Sequence, residues 1–230
     1  MCGRFTLRTP PVDLVEVFDL LREPMWVSRF NIAPSQSVLA IRAGEGGRES
    51  ALLTWGLIPS WAKDPKVGSR MINARSETVA TKPSFRAAFK RRRCLIAADG
   101  FYEWQKTDGK TKQPYFIGLE DHRPFAFAGL WEHWEAADGS TILTCTIITT
   151  TANSLLEGIH DRMPVILAPD DYGCWLDPKI EGGDKLEALL RPFDASAMRR
   201  YPVSTVVNNP RHDGPECVEP TASQGTLFEE

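Results

Sequence analysis

The 230-residue chain has only four histidines and five cysteines, and neither type is clustered. His122, His133, His160 and His212 lie far apart, and there is no CxxC or HxxxH pair. Nothing in this spacing points to a metal site, so no metal is expected. The odd number and wide spacing of Cys2, Cys94, Cys145, Cys174 and Cys217 argue against a disulfide framework. A reducing cytoplasm is the expected compartment. No apolar run reaches the length of a membrane span, and neither a membrane partner nor a cleaved leader is expected. Net charge is only −3, so the whole molecule does not attract polyanions, and any nucleic-acid site must come from local clustering. There is no internal repeat, low-complexity tract or Pro/Ser linker, which favours one domain and a monomer.

What is present is ordinary globular composition, 42% hydrophobic and 25% charged, with 17 Pro and 17 Gly spread along the chain. Segments 37–42, 51–55, 94–98, 115–119, 125–130, 141–149, 164–167 and 201–207 are short, apolar and rich in β-branched or aromatic residues, and are predicted strands. Leu14, Val17, Phe18 and Leu21 share a face of a predicted helix over 13–21. Shorter helices are predicted at 83–92, 152–158, 170–176 and 184–191. Strands outnumber helices without alternating with them. The predicted class is α+β, a largely antiparallel sheet curled into a barrel-like core with short flanking helices. The domain is expected to cover 1–217, with 218–230 a disordered tail.

Cys2 stands directly behind Met1. If Met1 is removed, Cys2 carries an α-amine and a thiol on neighbouring carbons. The amine titrates near pH 7.7–8.0 and is partly unprotonated at neutrality; the thiol, near 8.5, is a second nucleophile. Such a pair can form an imine with an aldehyde and then close a five-membered thiazolidine ring. The other cysteines have amide nitrogens and cannot. Position alone also suits a plain small second residue.

Four further stretches carry chemistry. From Asn73 to Arg93 there are seven basic residues and one acid. On a helix over 83–92, Arg86, Lys90 and Arg93 would form a cationic stripe beside a Phe85/Phe89 edge, which suits a phosphate backbone as well as a solvated face. Trp61, among Ser60, Lys63 and Asp64, is the best candidate for stacking on an exposed base; most other tryptophans read as core. Alternation along 101–104 puts Glu103 on one face with Phe101, where partial desolvation would fit it for proton transfer near neutrality. His160, between Ile159 and Asp161-Arg162, is placed either as an acid/base or as a structural hydrogen-bonder.

Taken in order, Met1-Cys2-Gly3-Arg4-Phe5, RFNIAPSQ (29–36), WGLIPSWAKD (55–64), INARSET (72–78), FRAAFKRRRC (85–94), DGFYEWQK (99–106), IHDRMPVIL (159–167) and VVNNPRHDGPEC (206–217) resemble the SOS-response-associated peptidase (SRAP) family of abasic-site-processing proteins. The resemblance runs along nearly the whole chain. It implies binding of abasic sites in single-stranded DNA, with Cys2 forming a thiazolidine crosslink to the sugar aldehyde after Met1 is removed, by the protein itself or by an aminopeptidase. It implies that Asn73 holds the sugar and Cys2, that Glu103 shuttles protons, and that His160 acts as acid/base on the opened sugar. Arg4 and Arg75 would contact phosphates, and Pro34 and Trp61 would support flanking bases; Arg86 and Lys90 join them as DNA-binding candidates from the basic segment. No cofactor is implied. Family members often carry a second aromatic after the tryptophan of PSW, where this chain has Ala62. Two other readings remain open on the sequence: an N-terminal-nucleophile thiol amidase or peptidase acting on non-DNA substrates, and a non-catalytic single-strand-binding module.

Overall fold

The computed structural model describes residues 2–107, 109 and 111–221. Among them the elements run β1 (Phe5–Leu7), α1 (Pro11–Phe18), β2 (Arg29–Ile32), β3 (Ser37–Ala43), β4 (Arg48–Trp55), β5 (Asn73–Arg75), α2 (Arg86–Arg91), β6 (Arg93–Ala98), β7 (Gly100–Lys106), β8 (Lys112–Leu119), β9 (Phe125–Glu135), β10 (Thr141–Thr151), β11 (Arg162–Pro164), β12 (Ile166–Leu167), α3 (Tyr172–Leu176), α4 (Asp184–Glu187) and β13 (Met198–Pro202).

Five strands close on themselves. β10 pairs with β4, then β4 with β3, β3 with β6, β6 with β9, and β9 returns to β10. All these pairings are antiparallel except β10–β4. Closure removes exposed edges from the barrel. β10 also carries β5 in parallel and β11 antiparallel beyond the closure. Its TILTCTIITTT sequence suits that load, since β-branched side chains pack well on a pleated, half-buried surface. A second sheet has the order β13-β8-β7-β1-β2. The two sheets meet through edge-on aromatics: Phe5 of β1 lies 5.2 Å from Trp55 and 5.7 Å from Phe127, and Phe101 of β7 lies 6.0 Å from Phe127. This contact seats the N-terminal strand on the barrel. A smaller cluster of Tyr102, Phe116, Val203, Val207 and Cys217 fills the other face of the second sheet.

The outer strand β2 is finished by a carboxylate. Asp213 accepts from the backbone N–H groups of Phe30 (2.6 Å) and Asn31 (2.7 Å) and pairs with the Arg29 guanidinium.

The α+β barrel expected from the sequence is what the structure shows. Several local expectations are corrected. α1 stops at Phe18 because Asp19 takes a left-handed turn (φ 52°), so Leu14 and Phe18 are buried while Leu21 is exposed. Segment 152–158 is turns, not helix. There the Asn153 side chain accepts from Leu156 N–H (3.2 Å) and donates to Phe193 O (2.8 Å), offering the backbone an alternative to helix. The strand expected over 201–207 ends at Pro202, and Ser204 caps a 3₁₀ turn over Thr205–Asn208. Arg93 does not join Arg86 and Lys90 on an outward stripe. It is 4% exposed, and its guanidinium donates to the carbonyls of Phe89 (2.7 Å), Lys90 (2.6 Å), Trp175 (2.6 Å) and Asp177. The helix ends before it, and its charge satisfies the carbonyls that α2 leaves open. Pairing continues to Pro220, bridged to Val203, and Thr221 N–H donates to Pro202 O (3.0 Å); residues 222–230 of the expected tail lie outside the described residues.

Candidate active site

Cys2 is completely buried, three residues before β1, the strand whose Phe5 packs against the barrel. β1 is held by Asp99, whose carboxylate accepts from Thr6 Oγ1 (2.6 Å), Arg8 N (2.6 Å), Arg8 Nε (3.1 Å), Thr9 N (3.0 Å) and Thr9 Oγ1 (3.1 Å). Asn73 begins β5, in register with Ile147 of β10. The Trp55 indole donates to Ile72 O (2.8 Å), fixing the backbone just before it. From there Asn73 Nδ2 donates to Cys2 O at 2.7 Å. Asn73 Oδ1 is buried and accepts no hydrogen bond among the described residues.

Glu103 lies on β7 opposite Tyr115 and is 3% exposed. Alternation puts it on the Phe101 side, as expected. Burial pushes its carboxyl up to about 7, against the opposing pull of Lys112. The Cys2 thiol is pushed far above its ordinary value, first by burial and then by the Glu103 charge. Burial thus favours the protonated thiol at neutral pH, and it moves the nearby carboxyl's titration toward that pH. His160 sits in the turn before β11. Burial lowers its pKa, and Asp161 opposes that. Its Nδ1 is 2.7 Å from Asp161 Oδ1 and 3.1 Å from Arg162 N. One nitrogen cannot donate to a carboxylate and accept from an N–H at once. The Asp161 side chain is 86% exposed and screened by water, so burial prevails and favours the neutral ring. Cys2, Asn73 and Glu103 thus share one site, and the Asp161 and Lys112 charges act on both Glu103 and His160.

The expected DNA contacts divide. Arg75 is exposed two residues beyond Asn73, on the same face of β5. Arg4 is partly buried: its Nη1 donates to Asn31 Oδ1 and to Val207 O, both at 2.8 Å. Pro34 follows β2 in a turn where Ser35 has φ 69°. Trp61 is 63% exposed on a loop pinned by Trp134, whose indole donates to Ala62 O (2.7 Å). Arg86 and Lys90 are exposed on α2, and no hydrogen bond or ion pair ties them to the Cys2 cluster among the described residues.

Sequence reasoning passed over the supports. Arg162 is a buried fork: it donates to Glu77 Oε1 (2.8 Å) and Oε2 (3.0 Å), and to Thr149 O (2.6 Å). That pairing holds Glu77 below its ordinary pKa and ties β5's exit to β10 and β11. Asn31 donates to Val207 O, Asn209 O and His212 O, joining the 29–36 and 206–217 fragments behind Arg4. The signal for both lay in charged or amide residues inside otherwise apolar strands.

Fold and site together define a small α+β protein whose second residue is a buried cysteine held by the Asn73 amide and close to the buried Glu103 carboxyl. The chain matches the family described as SOS response associated peptidase (SRAP) over residues 1–210, and it belongs to that family. It is 49% identical over 222 residues to the abasic site processing protein YoqW of Bacillus subtilis (strain 168), covering 95% of this chain and 99% of that one. It is 31% identical to the abasic site processing protein YedK of Escherichia coli (strain K12), covering 96% and 100%. A crystal structure of a protein from Bacteroides thetaiotaomicron superposes with a TM-score of 0.87 at 26% identity, covering 96% of this chain and all of that one.

Proposed function

We propose that this protein binds abasic sites in single-stranded DNA and caps them covalently through Cys2. Hydrolysis of the Met1–Cys2 peptide bond frees the α-amine; Met1 itself lies outside the described residues. The amine adds to C1′ of the ring-opened sugar, and loss of one water gives an imine. The Cys2 S–H then adds across the C=N bond. Sulfur bonds to C1′ and the proton passes to nitrogen by way of Glu103. No oxidant or reductant enters, and the reverse steps release the sugar. Asn73 keeps the Cys2 backbone in place while its Oδ1 accepts from a sugar hydroxyl. His160, its neutral form favoured by burial, exchanges a proton with the sugar oxygen as the ring opens. Arg75 and Arg4 meet phosphates, and Pro34 and Trp61 meet the flanking bases.

The observation that carries this reading is the Cys2–Glu103 juxtaposition. A protonated buried thiol needs a base, and Glu103 titrates about 7, where it can both take and return a proton. The names of the relatives support the substrate class.

The test is incubation of the purified protein with a single strand bearing one abasic site, read by denaturing gel and intact mass. The expected product is a heat-stable adduct, smaller by one water than the sum of Met1-free protein and DNA. Cys2→Ala should give none. An adduct from Cys2→Ala would overturn the mechanism, and cleavage of peptide amides with indifference to DNA would select the amidase reading.

A further inference from the structure

An open cleft of about 690 Å³ lies against β7 and is lined by Arg4, Trp104, Thr111, Lys112, Thr205 and Asn208. Its walls offer one aromatic plane, two cations, three neutral hydrogen-bonding side chains and no carboxylate. That set suits an anion joined to a flat ring, and the volume holds one nucleotide. The indole is oriented in advance: Trp104 Nε1 donates to Asn208 Oδ1 (2.7 Å), and the Arg4 guanidinium lies 5.9 Å from the ring centre. The remaining cation, Lys112, is exposed at the start of β8.

The cleft and the candidate chemistry share strand β7. Trp104 follows Glu103 on β7, so the two side chains leave opposite faces of the sheet. β1 accompanies β7 only as far as the Tyr102 N–H bond to Arg4 O (3.0 Å), and Trp104–Lys106 pair with β8 alone. Arg4, two residues after Cys2, lines the cleft, so the cleft adjoins the segment that carries Cys2.

We infer that this cleft is a subsite for one nucleotide flanking the lesion, stacking its base on Trp104 and setting its phosphodiester against Lys112. The inference rests on the abasic-site reading and adds to it where the neighbouring strand goes. Lys112 is also close enough for its charge to lower both Glu103 and His160, so a phosphate seated there would weaken that influence.

The test is fluorescence anisotropy with an 11-nucleotide strand carrying a central tetrahydrofuran, an abasic analogue that cannot form an imine. Two shorter strands place the tetrahydrofuran at the 5′ or the 3′ end. Trp104→Ala should weaken binding of the 11-mer at least about fivefold, the low end for one base stack. Lys112→Gln, a surface change that leaves the fold alone, should lower the logarithmic salt slope by about 0.7, one phosphate contact on a single strand. One of the two shorter strands, lacking the stacked nucleotide, should bind parent and variants equally. Unchanged affinity and slope in both variants would overturn the subsite, as would equal losses on both shorter strands. A parent that fails to bind the 11-mer would instead overturn the reading beneath it, and the subsite with it.

Discussion

Replacing Glu103 by Gln removes the buried proton-binding group beside Cys2 and should alter stability and chemistry together. In the fold this carboxyl titrates at about 7 rather than 4.5. The unfolded chain thus releases its proton near pH 4.5 while the native protein keeps it. The native state is penalised increasingly as pH rises from 4.5 through 7, and the penalty is constant above. The gap corresponds to about 3 kcal/mol. Gln has no such penalty. Urea unfolding of both proteins between pH 4 and 8.5 should show the variant gaining about 3 kcal/mol on the parent across that window. In the same pH range, the rate of adduct formation by the parent should inflect near 7. The variant should lose the inflection and react about 10²- to 10⁴-fold more slowly, as for a lost general acid–base. Parallel stability curves would refute the burial argument. An unchanged rate profile would refute the proton-transfer role.

Three other outcomes follow from the framework. Asp99→Asn keeps one oxygen to accept the bonds that now anchor β1, and should cost about 3 kcal/mol, lowering the calorimetric Tm by about 6–12 °C. Arg93→Met strips four carbonyls of their donor and should cost about 3 kcal/mol or more in urea unfolding. Gly56→Ala should lower the Tm measured by circular dichroism, because φ is 136° and a Cβ there would sit 2.7 Å from Gly68 O.

Long apolar strands were readable because their composition decides their fate: segments 37–42, 94–98 and 141–149 fall within β3, β6 and β10. β5 was not, since Asn73–Arg75 has no strand-like pattern and pairs only because β10, seventy residues away, offers an open flank. The helix expected at 152–158 failed for a local reason, the competing Asn153 side chain. The site was legible as residue types. Cys2, Asn73 and Glu103 were singled out, and the fold brings them together. The role of Asp99 was hidden, because its partners Thr6, Arg8 and Thr9 lie some ninety residues upstream. Arg93 misled because helical spacing continued on paper past the point where the backbone turns into a strand.

Asp213, at the rim of the smaller sheet, acts as a guard. A foreign β-strand approaching there would need the amide hydrogens of Phe30 and Asn31, and both are already taken by one carboxylate. Growth of the sheet from molecule to molecule is blocked at that margin by a charged side chain, backed by the 207–213 segment that Asn31 holds against the strand.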